Sequence, residues 1–353
     1  MVSKPVRLLI AASGTGGHLF PATALAEQLS DYEIEWLGVP NRLETQLVPE
    51  QYPLHTIAVE GFQQRGLGSL RVLSKLVGSV REVRRLLVER NFQGVFTTGG
   101  YIAAPAIIAA RSLGLPVILH ESNALPGKVT RWFSPWCTAV AIGFEFAAQY
   151  LPKAKTVYVG TPVRLQFLSP QPLDLPIPEG VPVIVVAGGS QGAVALNKLV
   201  RQCAKAWFEA GAWIVHQTGE NDPEAGILQH PQYVSMPFYN NMAGLFQRAN
   251  LAISRAGAGT LTELAVTQTP SILVPYPFAA EDHQAYNAAV FAGAGAAVVC
   301  RQGDLTLEEL EGKVLDLLNS PARLQKMTES AGSLAIPDSS ERLGKLVRRL
   351  LEA

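Results

Sequence analysis

The chain opens twice with the same instruction. Val6 to Ala12 is a continuous apolar run that ends in Ser13-Gly14-Thr15-Gly16-Gly17-His18 and leads into a helical pattern through Ala22, Leu25, Ala26 and Leu29. About 175 residues later, Val181 to Ala187 ends in Gly188-Gly189-Ser190-Gln191-Gly192-Ala193, and a helix is predicted from Leu196 to about Ala210. An uninterrupted apolar strand followed by a glycine turn and a helix is the opening unit of a doubly wound parallel sheet, whose strands are buried on both faces. Two such openings, each starting its own series, predict two Rossmann-like domains.

The intervening runs follow the same pattern. Strands are predicted at Ile34 to Leu37, Gly94 to Thr97, Val117 to Leu119, Ala139 to Ile142 and Thr156 to Val159. After the second opening they are predicted at Trp213 to His216, Leu251 to Ser254, Ser271 to Val274 and Ala297 to Val299. A length of 353 residues fits two domains at roughly 100–200 residues each. The expected division is a first domain over 1–160, a linker over 161–182, a second domain over 183–336, and a closing helix over 337–353 that packs back on the first domain. The linker is expected from Pro162, Pro170, Pro172, Pro176, Pro178 and Pro182, and the last helix from the stop-and-cap pair Pro337-Asp338.

Composition excludes several classes. Lys and Arg number 29 against 29 Asp and Glu, which argues against generic nucleic-acid binding. The balance hides an asymmetry: residues 1–160 hold 15 basic and 11 acidic residues, net +4, and 161–353 hold 14 and 18, net −4. No stretch of about 18 residues is apolar enough for a membrane span, and the start does not read as a secretory signal. Cys137, Cys203 and Cys300 lack metal-ligand spacing and read as buried thiols in a reducing compartment.

A glycine turn at a helix start presents backbone N–H groups at the positive end of the helix dipole and suits an anion, typically phosphate. The alternative is that the glycines only let helix and strand pack closely. The first turn is neither G-x-G-x-x-G nor a P-loop, and the strand ending at Leu37 runs into Gly38-Val39-Pro40-Asn41 without the acid that would hold a ribose diol. It does place His18 at a helix start, where the dipole disfavours the imidazolium; His18 is a proton acceptor or a simple helix cap. A third glycine turn, Arg255 to Glu263, follows a strand directly, and Glu263 either accepts two ribose hydroxyls or caps and faces solvent. No Asp-x-Asp or His/Cys/Glu cluster has metal spacing. A departing diphosphate would then be neutralised by helix dipoles and by Arg164 or Arg255, with no metal and no cofactor.

In these residues the sequence resembles one family, the bacterial MurG-type N-acetylglucosaminyltransferases of peptidoglycan synthesis. The motifs are GTGGH-x-x-P (Gly14 to Pro21), GGY (Gly99 to Tyr101), HESN (His120 to Asn123), GTPVR (Gly160 to Arg164), GGSQGA (Gly188 to Ala193), SRAGAGTLTE (Ser254 to Glu263) and DHQ-x-x-NA (Asp282 to Ala288). They run in order over almost the whole chain. The resemblance implies an α/β GT-B fold, two Rossmann-like doubly wound parallel-sheet domains facing across a cleft. It also implies an inverting transferase that moves GlcNAc from UDP-GlcNAc to the C4 hydroxyl of MurNAc in undecaprenyl-pyrophosphoryl-MurNAc-pentapeptide (lipid I), giving lipid II at the cytoplasmic face of the plasma membrane. Thr15, Gly16 and Gly17 would line the site and His18 would be the general base, with Glu121 as an alternative or orienting group. Asn123 would meet the donor sugar, and Arg164, Gly189, Ser190, Gln191 and Arg255 the diphosphate region. Tyr239 would lie beside uracil. Ala258, Gly259, Thr260, Leu261, Thr262 and Glu263 would hold phosphates and ribose, and His283 and Gln284 the GlcNAc hydroxyls. The sequence departs from the family's usual pattern at Ser13, at HESN, at Gly259 and at Tyr239.

Phe62 to Arg90 is basic and amphipathic: Arg65, Arg71, Lys75, Arg81, Arg84, Arg85 and Arg90 interleave with Leu67, Leu70, Leu73, Leu76, Val77, Val80 and Val83. It is expected either to lie on an anionic bilayer, where a lipid-linked acceptor sits, or to pack inward with its charges solvated. Proteins of cell-wall synthesis are further expected partners. Competing readings are a glycolipid synthase of the same superfamily, a non-catalytic nucleotide-sugar sensor, and an NAD oxidoreductase, the last disfavoured by the missing acid after the second strand.

Overall fold

The computed structural model describes residues 5–40, 44–59, 68–189 and 192–352. The chain forms two compact units, one of residues 1–163 with 337–353 and one of residues 164–336.

The first unit is a seven-stranded parallel sheet, β3-β2-β1-β4-β5-β6-β7. In chain order it runs β1 (Arg7–Ala11), α1 (Gly16–Gln28), β2 (Glu33–Gly38), a short α2 (Glu44–Leu47), β3 (Leu54–Thr56), α3 (Gly68–Glu89), β4 (Gly94–Thr97), α4 (Ala103–Ser112), β5 (Val117–Glu121), α5 (Lys128–Phe133), β6 (Ala139–Ile142) and β7 (Thr156–Tyr158). The apolar run of β1 is explained by its two buried faces. Leu8 and Ile10 enter a core with Leu25, Trp36 and Phe96, while Leu9 and Ala11 enter another with Val95, Ile107 and Leu119. At about 25 cal/mol per Å² of apolar surface removed from water, a strand buried on both faces stabilises the unit from each of its two cores.

The second unit is a six-stranded parallel sheet, β10-β9-β8-β11-β12-β13. Its elements are β8 (Val183–Ala187), α6 (Val194–Glu209), β9 (Trp213–Gln217), β10 (Tyr233–Met236), α7 (Met242–Arg248), β11 (Leu251–Ser254), α8 (Ala258–Val266), β12 (Ser271–Leu273), α9 (His283–Gly293), β13 (Ala297–Val299), α10 (Leu307–Leu318) and α11 (Pro321–Ser333). Ile184, Val186, Val200, Trp207, Ile214, Ile253 and Val314 share one core. The last helix, α12 (Ser339–Leu351), belongs to the first unit: Leu343, Leu346 and Val347 join the core around α1, and Arg348 pairs with Asp31 at 2.7 Å.

Residues 164–182, expected as linker, fall within the second unit and are fastened to it. The Gln171 N–H donates to Gln247 at 2.8 Å, Asn241 donates to the Pro172 carbonyl at 2.7 Å, and Arg248 donates to the Val181 carbonyl at 2.9 Å. The basic stretch also differs from its membrane expectation over the part described. On α3, Val83 and Leu87 are fully buried, and Leu76, Val80 and Leu86 pack on the same core; only Val77 and Val88 of its apolar side chains beyond residue 73 are exposed. The apolar stripe thus faces α4, and Arg81, Arg84, Arg85 and Arg90 occupy the solvated side. Arg65 and Leu67 lie outside the described residues, as do the side chains of Leu70, Arg71 and Leu73.

Candidate functional sites at the two switch points

In each sheet the strand order reverses once, between β1 and β4 and between β8 and β11. Open parallel sheets bind ligands beyond the carboxyl ends of the strands at such a reversal, because the connections diverge to opposite faces there. Of the predicted residues, Thr15, Gly16, Gly17 and His18 follow β1, Gly189 follows β8 and Arg255 follows β11, while Glu121 and Asn123 follow β5 and Tyr239 follows the edge strand β10.

In the first unit, β1 ends at the turn to α1 and β4 ends at Thr98-Gly99-Gly100. Thr15 caps α1 with extended backbone and no side-chain hydrogen bond. The first amides paired into the helix are His18, to the Thr15 carbonyl at 3.0 Å, and Leu19 at 3.2 Å. The Gly16 and Gly17 amides have no hydrogen-bond partner among the described residues and are available to an anion. His18 is half-buried, and its Nδ1 lies 2.7 Å from the Thr98 carbonyl oxygen. A carbonyl can only accept, so Nδ1 carries a proton, and of the two neutral tautomers this selects the one with its lone pair on Nε2. A Cβ on Gly100 would come 3.9 Å from Nε2, and Gly99 and Gly100 both have positive φ, 86° and 72°. The glycine pair thereby lets the chain turn beside the imidazole.

Glu121, at the end of β5, is buried and committed elsewhere. Its Oε1 accepts from the backbone N–H and Nδ2 of Asn123, both at 3.0 Å, and its Oε2 accepts from the Gly127 N–H at 3.1 Å. The carboxylate folds the loop that presents Asn123, an orienting task toward Asn123 and not toward His18. His120 is fully buried, and burial pushes its pKa down; its Nε2–H donates to the Gly160 carbonyl at 3.0 Å. The histidine of HESN is therefore a strut between β5 and the segment that follows β7.

In the second unit, Gly188 closes against the next turn: an added Cβ would lie 2.6 Å from the Ala193 nitrogen, and on Gly192 it would strike the Thr218 carbonyl. Gly189 has φ 85° and open space around its Cα. Ser190 and Gln191 lie outside the described residues. At α8, which Gly257 caps, the first paired amide is Leu261, to the Gly257 carbonyl at 3.0 Å. The Ala258, Gly259 and Thr260 amides are unpaired among the described residues, and nothing crowds Gly257 or Gly259. Leu261 is fully buried core, and the Thr262 hydroxyl is spent on the Ala258 carbonyl at 2.9 Å. This leaves the turn's amides, the half-buried Thr260 hydroxyl and Glu263 as its polar equipment.

Glu263 Oε1 accepts from Arg164 Nη2 at 3.0 Å, and Arg164 stacks over Phe167 at 4.9 Å. Burial pushes the Glu263 carboxyl up, with Arg164 pulling it back. Two predicted residues 99 apart in sequence thus meet. Arg255 differs from its expected role on the diphosphate. Its guanidinium is buried and donates to the Val274 carbonyl at 3.0 Å and to Gln302 at 2.6 Å, tying the β11 turn to the loops beyond β12 and β13. Gln284 Oε1 accepts from the Ala256 N–H at 3.2 Å and the Tyr276 N–H at 2.9 Å, which leaves its Nε2 to donate to a ligand. His283 Nδ1 lies 2.9 Å from the Ala280 carbonyl, which orients the ring. Tyr239 is half-buried, and burial together with Asp174 pushes its phenol up.

Sequence reading missed Thr98, Asn287 and Gln302. Asn287 Nδ2 donates to the Ala256 carbonyl at 3.1 Å, so α9 grips both polar groups of that peptide region through Gln284 and Asn287. Its signal was its place in DHQ-x-x-NA. Among the described residues no group of three or more His, Cys, Asp or Glu gathers as a metal site, and no helix is long and apolar enough to cross a membrane.

Two parallel-sheet units, each with free helix-start amides at its switch point, make up the GT-B class of glycosyltransferase. The glycosyltransferase family 28 N-terminal domain matches residues 8–142 and its C-terminal domain residues 183–343. A protein of Nostoc punctiforme named UDP-N-acetylglucosamine--N-acetylmuramyl-(pentapeptide) pyrophosphoryl-undecaprenol N-acetylglucosamine transferase is 70% identical, covering 100% of both chains. A protein of Trichodesmium erythraeum with the same name is 68% identical over 99% of this chain and 94% of its own. The crystal structure of Acinetobacter baumannii MurG superposes with a TM-score of 0.81 at 31% identity, covering 98% of this chain and 100% of that one. The chain belongs to this family of N-acetylglucosamine transferases within glycosyltransferase family 28.

Proposed function

We propose that the enzyme transfers GlcNAc from UDP-GlcNAc to the C4 hydroxyl of MurNAc in lipid I, with inversion at the anomeric carbon, and that His18 is its base. The observation that carries the base is the 2.7 Å contact of Nδ1 with the Thr98 carbonyl, which leaves Nε2 to take the hydroxyl proton. As the C4 oxygen bonds to the anomeric carbon, the bond to UDP breaks and its electron pair goes to the diphosphate. The second unit supplies what that anion needs: the amides of Ala258 to Thr260 and the dipole of α8, with Arg164 beside them. Glu263 Oε2, which has no hydrogen bond among the described residues, is the ribose acceptor, and Gln284 Nε2 is the donor to the sugar. The test is to incubate the protein with UDP-GlcNAc and a lipid I analogue, with and without chelator. Disaccharide formation in both arms is expected; none in either rejects the reaction, and loss with chelator rejects metal independence.

Glu263→Ala is expected to weaken UDP affinity about tenfold or more, the scale of losing charge-assisted hydrogen bonds. Because burial holds the carboxyl above the ordinary glutamate value of 4.5, UDP affinity should begin to fall on acidification at a higher pH than an exposed glutamate would give. Calorimetric titration of UDP across pH checks this. A Glu263→Gln protein with the same pH dependence as wild type would remove Glu263 from the ribose.

The enzyme works peripherally at the cytoplasmic face of the membrane that holds its acceptor. With the described stripe of α3 turned inward, the contact falls to Trp132 (60% exposed) and Trp136 (49% exposed), with Lys128 and Arg131 beside them on α5. Indole rings favour the bilayer interface, and α3's solvated arginines add attraction to anionic lipid. Anionic vesicles should bind the protein at low salt and release it at high salt, and Trp132→Ala with Trp136→Ala should weaken binding several-fold. Equal binding to neutral vesicles would count against the electrostatic part.

A further inference from the structure

We propose that Glu44 is a positioning residue for His18, acting through the first glycine turn; the proposal rests on the reading of His18 as the base. Glu44 is completely buried on α2, and no step of the transfer uses it. Its carboxylate gathers donors from the ends of two neighbouring strands. Oε1 accepts from the Ser13 hydroxyl at 2.5 Å and the Val39 N–H at 2.7 Å, and Oε2 accepts from the Gly14 N–H at 3.2 Å. Gly38 makes room for it, since a Cβ there would sit 2.8 Å from the Glu44 Cγ.

A buried carboxylate is tolerated only where donors surround it, and here two of the three donors, the Ser13 hydroxyl and the Gly14 N–H, belong to the turn that leads to His18, while the Val39 N–H ties the carboxylate to the end of β2. The turn needs the anchor. Gly14 has φ 107°, and Thr15 makes no side-chain cap to α1; core packing holds the body of the helix, and within the turn that joins it to β1 the Glu44 carboxylate supplies the side-chain hydrogen bonds that fix the backbone. His18 follows Gly14 by four residues, in the first turn of α1, and a shift of the backbone at Gly14 moves the imidazole away from the Thr98 carbonyl. A dinucleotide-binding fold uses an acid at the end of its second strand to hold ribose. Here the acid that reaches this place, between the ends of β1 and β2, is consumed by the protein's own backbone.

Glu44→Gln keeps the volume but, in either orientation of the amide, sets an NH₂ against the Gly14 or the Val39 N–H. The expected result is a fall in kcat of about 10- to 100-fold, the scale of a small misplacement of a reacting group, with UDP affinity unchanged. The decisive comparison is the double variant with His18→Ala. If Glu44 acts through His18, the double variant is no slower than His18→Ala alone, whereas a general structural loss multiplies through. Wild-type kcat in Glu44→Gln, or full multiplication in the double variant, overturns the proposal. Should Glu44→Gln prove unfolded by circular dichroism, Ser13→Ala takes its place in the same cycle. An about threefold or larger fall that vanishes beside His18→Ala is then expected, and an unchanged kcat overturns the proposal. His18→Ala at wild-type turnover would instead fail the base reading, whatever Glu44 does.

Discussion

Replacing His18 by alanine is expected to lower kcat by about 10²–10⁴-fold, the contribution of a positioned general base. UDP affinity should stay within about twofold of wild type, since an interaction made only in the transition state leaves ground-state binding alone. The split follows from the structure: His18 sits in the first unit, while the free amides of α8 and the Arg164–Glu263 pair belong to the second. Alanine removes the proton acceptor and leaves the Thr98 carbonyl without its donor. Turnover measured with a lipid I analogue, beside calorimetric titration of UDP, separates the outcomes. Normal turnover of bound substrate with collapsed donor affinity would make His18 a donor-binding group and require another base.

The parallel-sheet architecture was legible because its central strands are buried on both faces and so appear as unbroken apolar runs. β4, β6, β11 and β13 lie where the runs predicted them. The strands left unread are β3 and β10, and both are sheet edges. Leu54–Thr56 is only half-buried, and Tyr233–Met236 exposes Ser235, so neither makes a continuous run. Amphipathicity in 62–90 was visible, but the burial of Val83 and Leu87 depends on α4, which no local pattern reveals.

The candidate site divides in the same way. Glycine turns announce themselves locally, since positive φ and close approach demand glycine. The partners that give the side chains their roles are distant in sequence. His18 meets Thr98 across 80 residues, and Arg164 meets Glu263 across 99. Arg255 shows the opposite error. Its place beside a glycine turn suggested an anion, but three-dimensional packing turns its guanidinium into the protein, toward carbonyls and Gln302.

Asp222→Ala should destabilise the second unit by about 3–5 kcal/mol, the cost of breaking a buried ion pair by removing one partner. The Asp222 side chain is fully buried; it accepts from Arg201 Nη1 at 2.8 Å and from Asn197 Nδ2 at 2.7 Å. Asn197 in turn donates to the Thr218 carbonyl at 2.8 Å and accepts from His216 Nε2 at 3.0 Å, so α6 is bound to the end of β9. Alanine would leave a 7% exposed Arg201 with Glu224 as its remaining ion-pair partner among the described residues and loosen the Thr218 peptide that backs Gly192. The second unit should then melt lower by roughly 10 °C or more, and UDP binding should weaken as the turn after β8 loses its support. Burial pushes the Asp222 carboxyl up, but the Arg201, Asn197 and Glu224 hydrogen bonds and the Arg201 charge outweigh it and hold the folded value below the ordinary 3.8. A depressed folded value means that this stabilisation is complete above the unfolded value and is lost as pH falls through the folded one. The gap in stability between wild type and Asp222→Asn should therefore be widest near neutrality and narrow only below about pH 3.8. Calorimetric melting of both proteins across pH reads the gap directly, and a gap that is absent at neutrality, or grows on acidification, would show that this pair does not hold the unit together.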